Sequence, residues 1–165
     1  MNKYFPLQPN FKLKIGAVVE IVCKNKTYIL VSRSFNGPPS QQSLRRLGYE
    51  LVRGTIEYGQ SLEKNIVREI KEETGLNCRV VGPLALNYYA APKLKYSDCQ
   101  IYFICRPLQR VNANKVWLHK DTDQVKQGKR WFECRFIAVK DLSKIKFGSG
   151  QRGLVRIYQK QLLNN

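Results

Sequence analysis

Acidic residues are scarce in this chain. Its 165 residues include 12 Asp plus Glu against 29 Lys plus Arg, a formal charge of +17. Histidine is scarcer still, with His119 the sole example. A single histidine excludes H-E-x-x-H zinc chemistry, and no nucleophile motif accompanies it to suggest a Ser-His or Cys-His site. The five cysteines, Cys23, Cys78, Cys99, Cys105 and Cys134, form no C-x-x-C pair, which argues against a structural zinc site. No apolar run approaches the ~18 residues of a membrane span, and no basic-apolar-small leader opens the chain. These absences predict a cytoplasmic protein with reduced thiols and no membrane partner.

What remains is an ordinary globular composition, 43% hydrophobic and 25% charged, long enough to bury a core without staples. One domain over residues 1–165 is expected. Residues 14–23 and 27–34 read as β-rich runs around a hairpin at Lys24-Asn25-Lys26. Residues 35–46 hold Gly and two prolines and read as a loop. Residues 49–57 look extended, with a break at Gly54. Ser61 offers an N-cap hydroxyl to a helix carrying Leu62, Ile66 and Ile70 at four-residue spacing, and Gly75 ends it. Further strands are expected over 79–90, 98–107 and 129–140, and a polar connection over 109–128. Leu154, Ile157, Tyr158 and Leu162 predict an amphipathic C-terminal helix over about 149–163. Its basic residues Arg152, Arg156 and Lys160 fall on the wet face. The pattern is α+β, strands around two helices in layers.

Five of the twelve acids lie within residues 57–73. Glu69, Glu72 and Glu73 share one helical face. Glu69 and Glu73 repel at a cost of about 0.2–0.5 kcal/mol, and all three sit at the end of the helix where the dipole disfavours anions. No Lys stands four residues after any of them; Arg68, four before Glu72, is the one spaced partner. A solvated acidic face would tolerate this arrangement. A divalent cation such as Mg²⁺ would resolve it.

The surrounding residues decide between these readings. From Gly54 to Leu76 the chain resembles the signature of the Nudix hydrolases, G-x5-E-x7-R-E-U-x-E-E-x-G-U with U a bulky aliphatic. Gly54, Arg68, Glu69, Ile70, Glu72, Glu73, Gly75 and Leu76 all match, and Gln60 stands where the signature has glutamate. Tyr49-Glu50-Leu51 before the box, and Phe136-Ile137 through Asp141-Leu142 after it, resemble the family's flanks. The resemblance implies a Nudix α/β/α sandwich with a mixed sheet, and the box as loop, helix and loop. It implies hydrolysis of a diphosphate linked to another moiety, with Mg²⁺ or Mn²⁺ as cofactor. Glu69, Glu72 and Glu73 become the metal carboxylates, with the backbone carbonyl near Gly54 as a further ligand. Arg68 would orient the glutamates, and Gln60 would hydrogen-bond Arg68 without bringing charge. The family also uses an acid outside the box. Glu133 is the first candidate, with Asp121 and Asp123 behind it.

For substrate, the Asn87-Tyr88-Tyr89-Ala90-Ala91-Pro92 segment and the run Tyr49 to Gly54 look like the ADP-ribose pyrophosphatase branch. A small nucleotide such as ADP-ribose is therefore expected, with Tyr88, Tyr89 and Tyr96 available to stack on a base. Arg33, Arg45, Arg46 and Arg53 precede the box and are available to phosphates. The +17 charge also admits RNA, either as the substrate of a 5′-end pyrophosphohydrolase or as the ligand of a non-catalytic binding module. A homodimer is compatible by analogy with ADP-ribose-type relatives.

Overall fold

The computed structural model describes residues 10–36, 48–91, 96–122, 130–148 and 150–163. The order is β1 (Asn10–Cys23), β2 (Lys26–Asn36), β3 (Val52–Thr55), α1 (Leu62–Thr74), β4 (Cys78–Ala91), β5 (Tyr96–Pro107), β6 (Val116–Lys120), β7 (Arg130–Ala138), a 3-10 turn (Val139–Lys144) and α2 (Gln151–Leu163). The seven strands form one mixed sheet in the order β4-β5-β1-β2-β7-β6, with β3 paired to β1 off that path.

The hairpin is as expected. Lys24 and Asn25 both take positive φ, 48° and 59°, the geometry a two-residue turn needs to match strand twist. The helix boundaries are also as expected: Ser61 Oγ accepts from Lys64 N, and Gly75 closes α1 at φ 76°. Two expectations need correction. Gly54 does not break the extended run, because β3 passes straight through it. The polar 109–128 segment is not all connection, because it contains β6, an edge strand antiparallel to β7 from Val116 to Lys120. Its exposed positions carry Val116 and Leu118, so the five residues show no alternation of polar and apolar side chains from which to read a strand.

β1 joins the two halves of the sheet. Its first part lies parallel to β5 from Asn10 to Val19 and antiparallel to β3 from Lys14 to Ala17. Its last four residues, Glu20 to Cys23, pair with β2. Alternate β1 side chains face opposite ways. Ile15, Ala17 and Val19 pack with Ile66 and Ile70 of α1, whereas Val18 packs with Leu154, Val155 and Tyr158 of α2. The sheet therefore lies between the two helices, the expected α/β/α layering. In α2 the apolar stripe is Leu154, Val155 and Tyr158; Ile157, expected in it, is 43% exposed. Arg152, Arg156 and Lys160 are on the exposed face as expected.

Two buried polar links pin α2 to the sheet. Tyr158 donates a short hydrogen bond to Glu20, whose other oxygen receives Arg106 at 2.6 Å. Gln151 accepts from Leu51 N at 2.6 Å. All five cysteines are free, and Cys78, Cys105 and Cys134 are buried. Burial pushes the Cys78 and Cys105 thiols up to about 12, so they stay protonated and inert at neutral pH.

Candidate active site

The acidic face of α1 is built around Arg68. Its guanidinium lies 2.8 Å from Glu72, 3.0 Å from Glu69 and 3.4 Å from Glu57. Burial alone would lower the pKa of Arg68, but the Glu72 hydrogen bond and the charges of Glu69, Glu72 and Glu57 raise it. The like-charge conflict read from the sequence is thus answered in part by one arginine serving several carboxylates.

Glu69 and Glu73 are 3% and 4% exposed. The Glu69 carboxyl rests on the backbone of Gly54 so closely that a Cβ there would fall 1.8 Å from its Cδ. Only glycine allows strand and carboxylate to meet in this way. Glu73 and Gly54 both line a cleft of ≈ 250 Å³, along with Lys14, Ser32, Ser34, Glu50, Arg53 and Arg130. The cations lining it each have a polar partner. Asp98 lies 3.2 Å from Lys14 and Glu50 lies 3.2 Å from Arg53, while Arg130 donates to Ser34 at 3.1 Å. Asp98 is itself buried and accepts from Gln100 at 2.7 Å, and Gln100 accepts from Tyr102 at 2.9 Å.

The end of α1 also receives donors that sequence reasoning missed. Trp117 Nε1 donates to Thr74 O at 2.9 Å, and Thr122 N to Glu72 O at 3.4 Å. The Cys134 thiol lies 3.7 Å from Glu73 O. His119 lies over Gly75, where a Cβ would meet its ring at 3.0 Å, and hydrogen-bonds the Glu72 backbone. Burial lowers its pKa, against that bond and the charge of Asp121, so the ring favours the neutral form. Carbonyls that a helix C-terminus leaves without intrahelical partners are thus satisfied by β6 and β7.

Not every expected residue joins the site. Glu133 lies in the middle of β7, opposite Arg33. It is 3.7 Å from Arg33 and accepts from Tyr49 at 3.3 Å. Tyr49 belongs to the α2-side core, whereas the neighbouring Phe132 and Cys134 face α1. Glu133 therefore points to the face away from the box glutamates, a consequence of strand alternation. Arg33 goes with it, stacked 3.9 Å over the Tyr49 ring. Asp121 is buried beside His119. Asp123, Arg45, Arg46 and Pro92 lie outside the described residues. Gln60 does not reach Arg68 as expected; it donates to Glu57 Oε2 at 3.0 Å. Glu50 lines the cleft from outside the box and was not singled out in the sequence. Its place opposite Ser32, an isolated bridge just before β3, depends on a pairing that spacing does not reveal.

Among the described residues, no set of three or more His, Cys, Asp or Glu side chains is gathered closely enough to hold a metal ion. The donor chemistry nonetheless suits a hard divalent cation. Glu69, Glu72, Glu73 and the Gly54 backbone offer oxygen alone, and the Gly54 surface leaves room where a side chain would block Glu69.

A family model, the NUDIX domain, matches residues 13–156. The chain belongs to the Nudix family. Among curated relatives, the putative nudix hydrolase 1 of Caenorhabditis elegans is 30% identical over 104 residues, covering 63% of this chain and 24% of that protein. The chain thus spans about a quarter of that relative's length. Solved structures share the Nudix fold. The NUDIX domain of Shewanella oneidensis NrtR complexed with ADP ribose has a TM-score of 0.64 at 13% identity, covering 97% of this chain and 94% of that one. An Ap4A hydrolase binary complex from C. elegans has a TM-score of 0.61 at 15% identity, covering 93% and 99%. At these identities the likeness carries the fold alone.

Proposed function

We propose that this Nudix protein hydrolyses the diphosphate bond of a nucleoside diphosphate joined to another moiety, ADP-ribose or a related nucleotide, by attack of water on phosphorus. Mg²⁺ or Mn²⁺ would be held by Glu69, Glu72, Glu73 and the Gly54 carbonyl. Bound there, the cation would neutralise diphosphate oxygens and acidify water. The observation that carries the reading is the cleft, in which a buried Glu73 and the glycine seat of Glu69 face Lys14, Arg53 and Arg130. The three cations supply positive potential for a diphosphate and lower its repulsion toward a nucleophile. Glu73 borders the cleft and would take a proton from the attacking water. Arg68 orients Glu69 and Glu72 and does not line the cleft. Glu50 lines the cleft and takes the role of acid outside the box ahead of Glu133, whose carboxylate is engaged by Arg33 and Tyr49.

The +17 charge supports a second reading, in which the diphosphate lies at the 5′ end of an RNA whose backbone meets the basic surface. One panel separates the two: ADP-ribose, dinucleoside polyphosphates, sugar nucleotides, nucleoside triphosphates and 5′-triphosphorylated RNA, each with Mg²⁺ and Mn²⁺. Glu72→Gln and Glu73→Gln are expected to lower metal-dependent turnover by about 100-fold or more. Turnover unchanged in both variants, or none on any substrate, would remove the hydrolase reading and leave a binding module.

A further inference from the structure

Two grooves border the start of β6, and neither shares a lining residue with the cleft. The first, ≈ 570 Å³, is lined by Lys26, Lys115, Arg135, Lys140 and Lys144, with Asp141 as the one acid among the described residues. The second, ≈ 460 Å³, is lined by Arg110 and Lys115 and by no described acid. Lys115 borders both. Strand pairing gathers these residues: β7 lies between β2 and β6, with Ala138 opposite Tyr28 and Arg135 opposite Val116.

Charge is concentrated there. Six cations line the two grooves against one acid, whereas the whole chain has 29 against 12. Asp141 is itself taken by Lys144 at 2.6 Å. That bond holds its carboxyl below the usual range, helped by the charges of Lys140 and Lys26. Lys26, Lys115 and Lys140 are exposed and form no salt bridge among the described residues. Cations gathered without counter-charges repel one another, and a polyanion relieves that repulsion.

Each groove also carries an aromatic ring. Half-buried Tyr28 lines the first and half-buried Trp117 the second. The Trp117 ring is held at its edge, where Nε1 donates to Thr74 O at 2.9 Å, and Phe136 lies beside it with ring centroids 6.1 Å apart. A ring fixed in this way loses little freedom when a base stacks on it. Cations alternating with rings suit a single strand, whose phosphates meet the cations and whose unpaired bases meet the rings.

We propose that the two grooves form one binding site for single-stranded nucleic acid, separate from the cleft, with Lys26, Arg110, Lys115 and Lys140 against phosphates and Tyr28 and Trp117 against bases. The site is independent of the hydrolase reading, because binding is measured without turnover.

Fluorescence anisotropy of the full chain with labelled oligo-U and oligo-dT, without divalent metal, tests it. Both are expected to bind, and the tighter one names the natural strand. Lys26→Gln, Lys115→Gln and Lys140→Gln together are expected to weaken binding by about tenfold or more at about 100 mM salt, and to lower the slope of log affinity against log salt by about 2. Lys12→Gln, Lys64→Gln and Lys160→Gln together remove the same charge from exposed positions outside both grooves. That control should stay within about threefold of the parent. Tyr28→Leu should cost about fivefold or more, while Tyr28→Phe keeps the ring and should stay near the parent. Inorganic polyphosphate, which has no bases, should compete more weakly than an oligonucleotide of similar charge. No binding by the parent, equal losses in the two triple variants, parental affinity in Tyr28→Leu, or polyphosphate competing as well as the oligonucleotide would overturn the proposal.

Discussion

Gly54 shows how one residue ties a strand to a side chain of a helix. The missing side chain lets the Glu69 carboxyl lie against the β3 backbone, and a methyl group would overlap it at 1.8 Å. Gly54→Ala must therefore displace Glu69 or push β3 outward. Turnover is expected to fall about tenfold or more, and Mn²⁺ affinity measured by calorimetry to fall with it. Parental values for both would mean that Glu69 does not work from that seat. Arg68, Glu69, Glu72 and Glu73 were all legible by spacing, because a helix turns periodicity into a common face. The contact of Glu57 with Arg68 was not legible, since it depends on a loop geometry set by Asn65. Glu133 was chosen because it stands just before Phe136 in the sequence. Strand alternation then sent its side chain to the other face.

At the scale of elements, β6 and the residues just after it are what make the acidic end of α1 tolerable. Trp117 and Thr122 donate to its last carbonyls, and His119 hydrogen-bonds the Glu72 backbone. Donors there offset the negative end of the dipole as well as satisfying the carbonyls. Trp117→Phe keeps an aromatic ring of smaller size but leaves the Thr74 carbonyl without this donor. It should destabilise the fold by about 1–3 kcal/mol, measured as a lower midpoint in chemical denaturation. A midpoint equal to the parent's would show that water takes over the carbonyl. α1 itself was readable in advance because Ser61, the Ile66–Ile70 stripe and Gly75 are local signals. β6 was not, because an edge strand with exposed Val116 and Leu118 has too little apolar alternation to announce itself. Its place is decided by pairing with β7.

Across the whole molecule cations are in excess. Lys14, Arg53 and Arg130 line the cleft, while Arg152, Arg156 and Lys160 face solvent along α2. A net charge of +17 is expected to give measurable affinity for single-stranded RNA that falls by about tenfold or more between roughly 50 and 200 mM salt. Filter binding at several salt concentrations reads this directly. Affinity that ignores salt would mean the charge is not what holds the strand. Charge alone does not decide whether such a strand is substrate. That depends on whether a 5′ end reaches the cleft where Glu73 lies.

The spacing of Gly54, Arg68, Glu69, Glu72, Glu73 and Gly75 was enough to indicate the family, the helix that carries the box glutamates and the layered fold. Those signals are local, and a helix or hairpin converts local spacing into geometry through its own backbone hydrogen bonds. The tertiary structure alone decided that Glu50 borders the cleft, that Glu133 turns away, that Gln60 serves Glu57 and that β6 caps α1. Each of these rests on contacts between residues distant in the chain, or on a loop anchored by a buried side chain. Burial and strand pairing, which no single-chain periodicity encodes, select among the arrangements that the sequence leaves open.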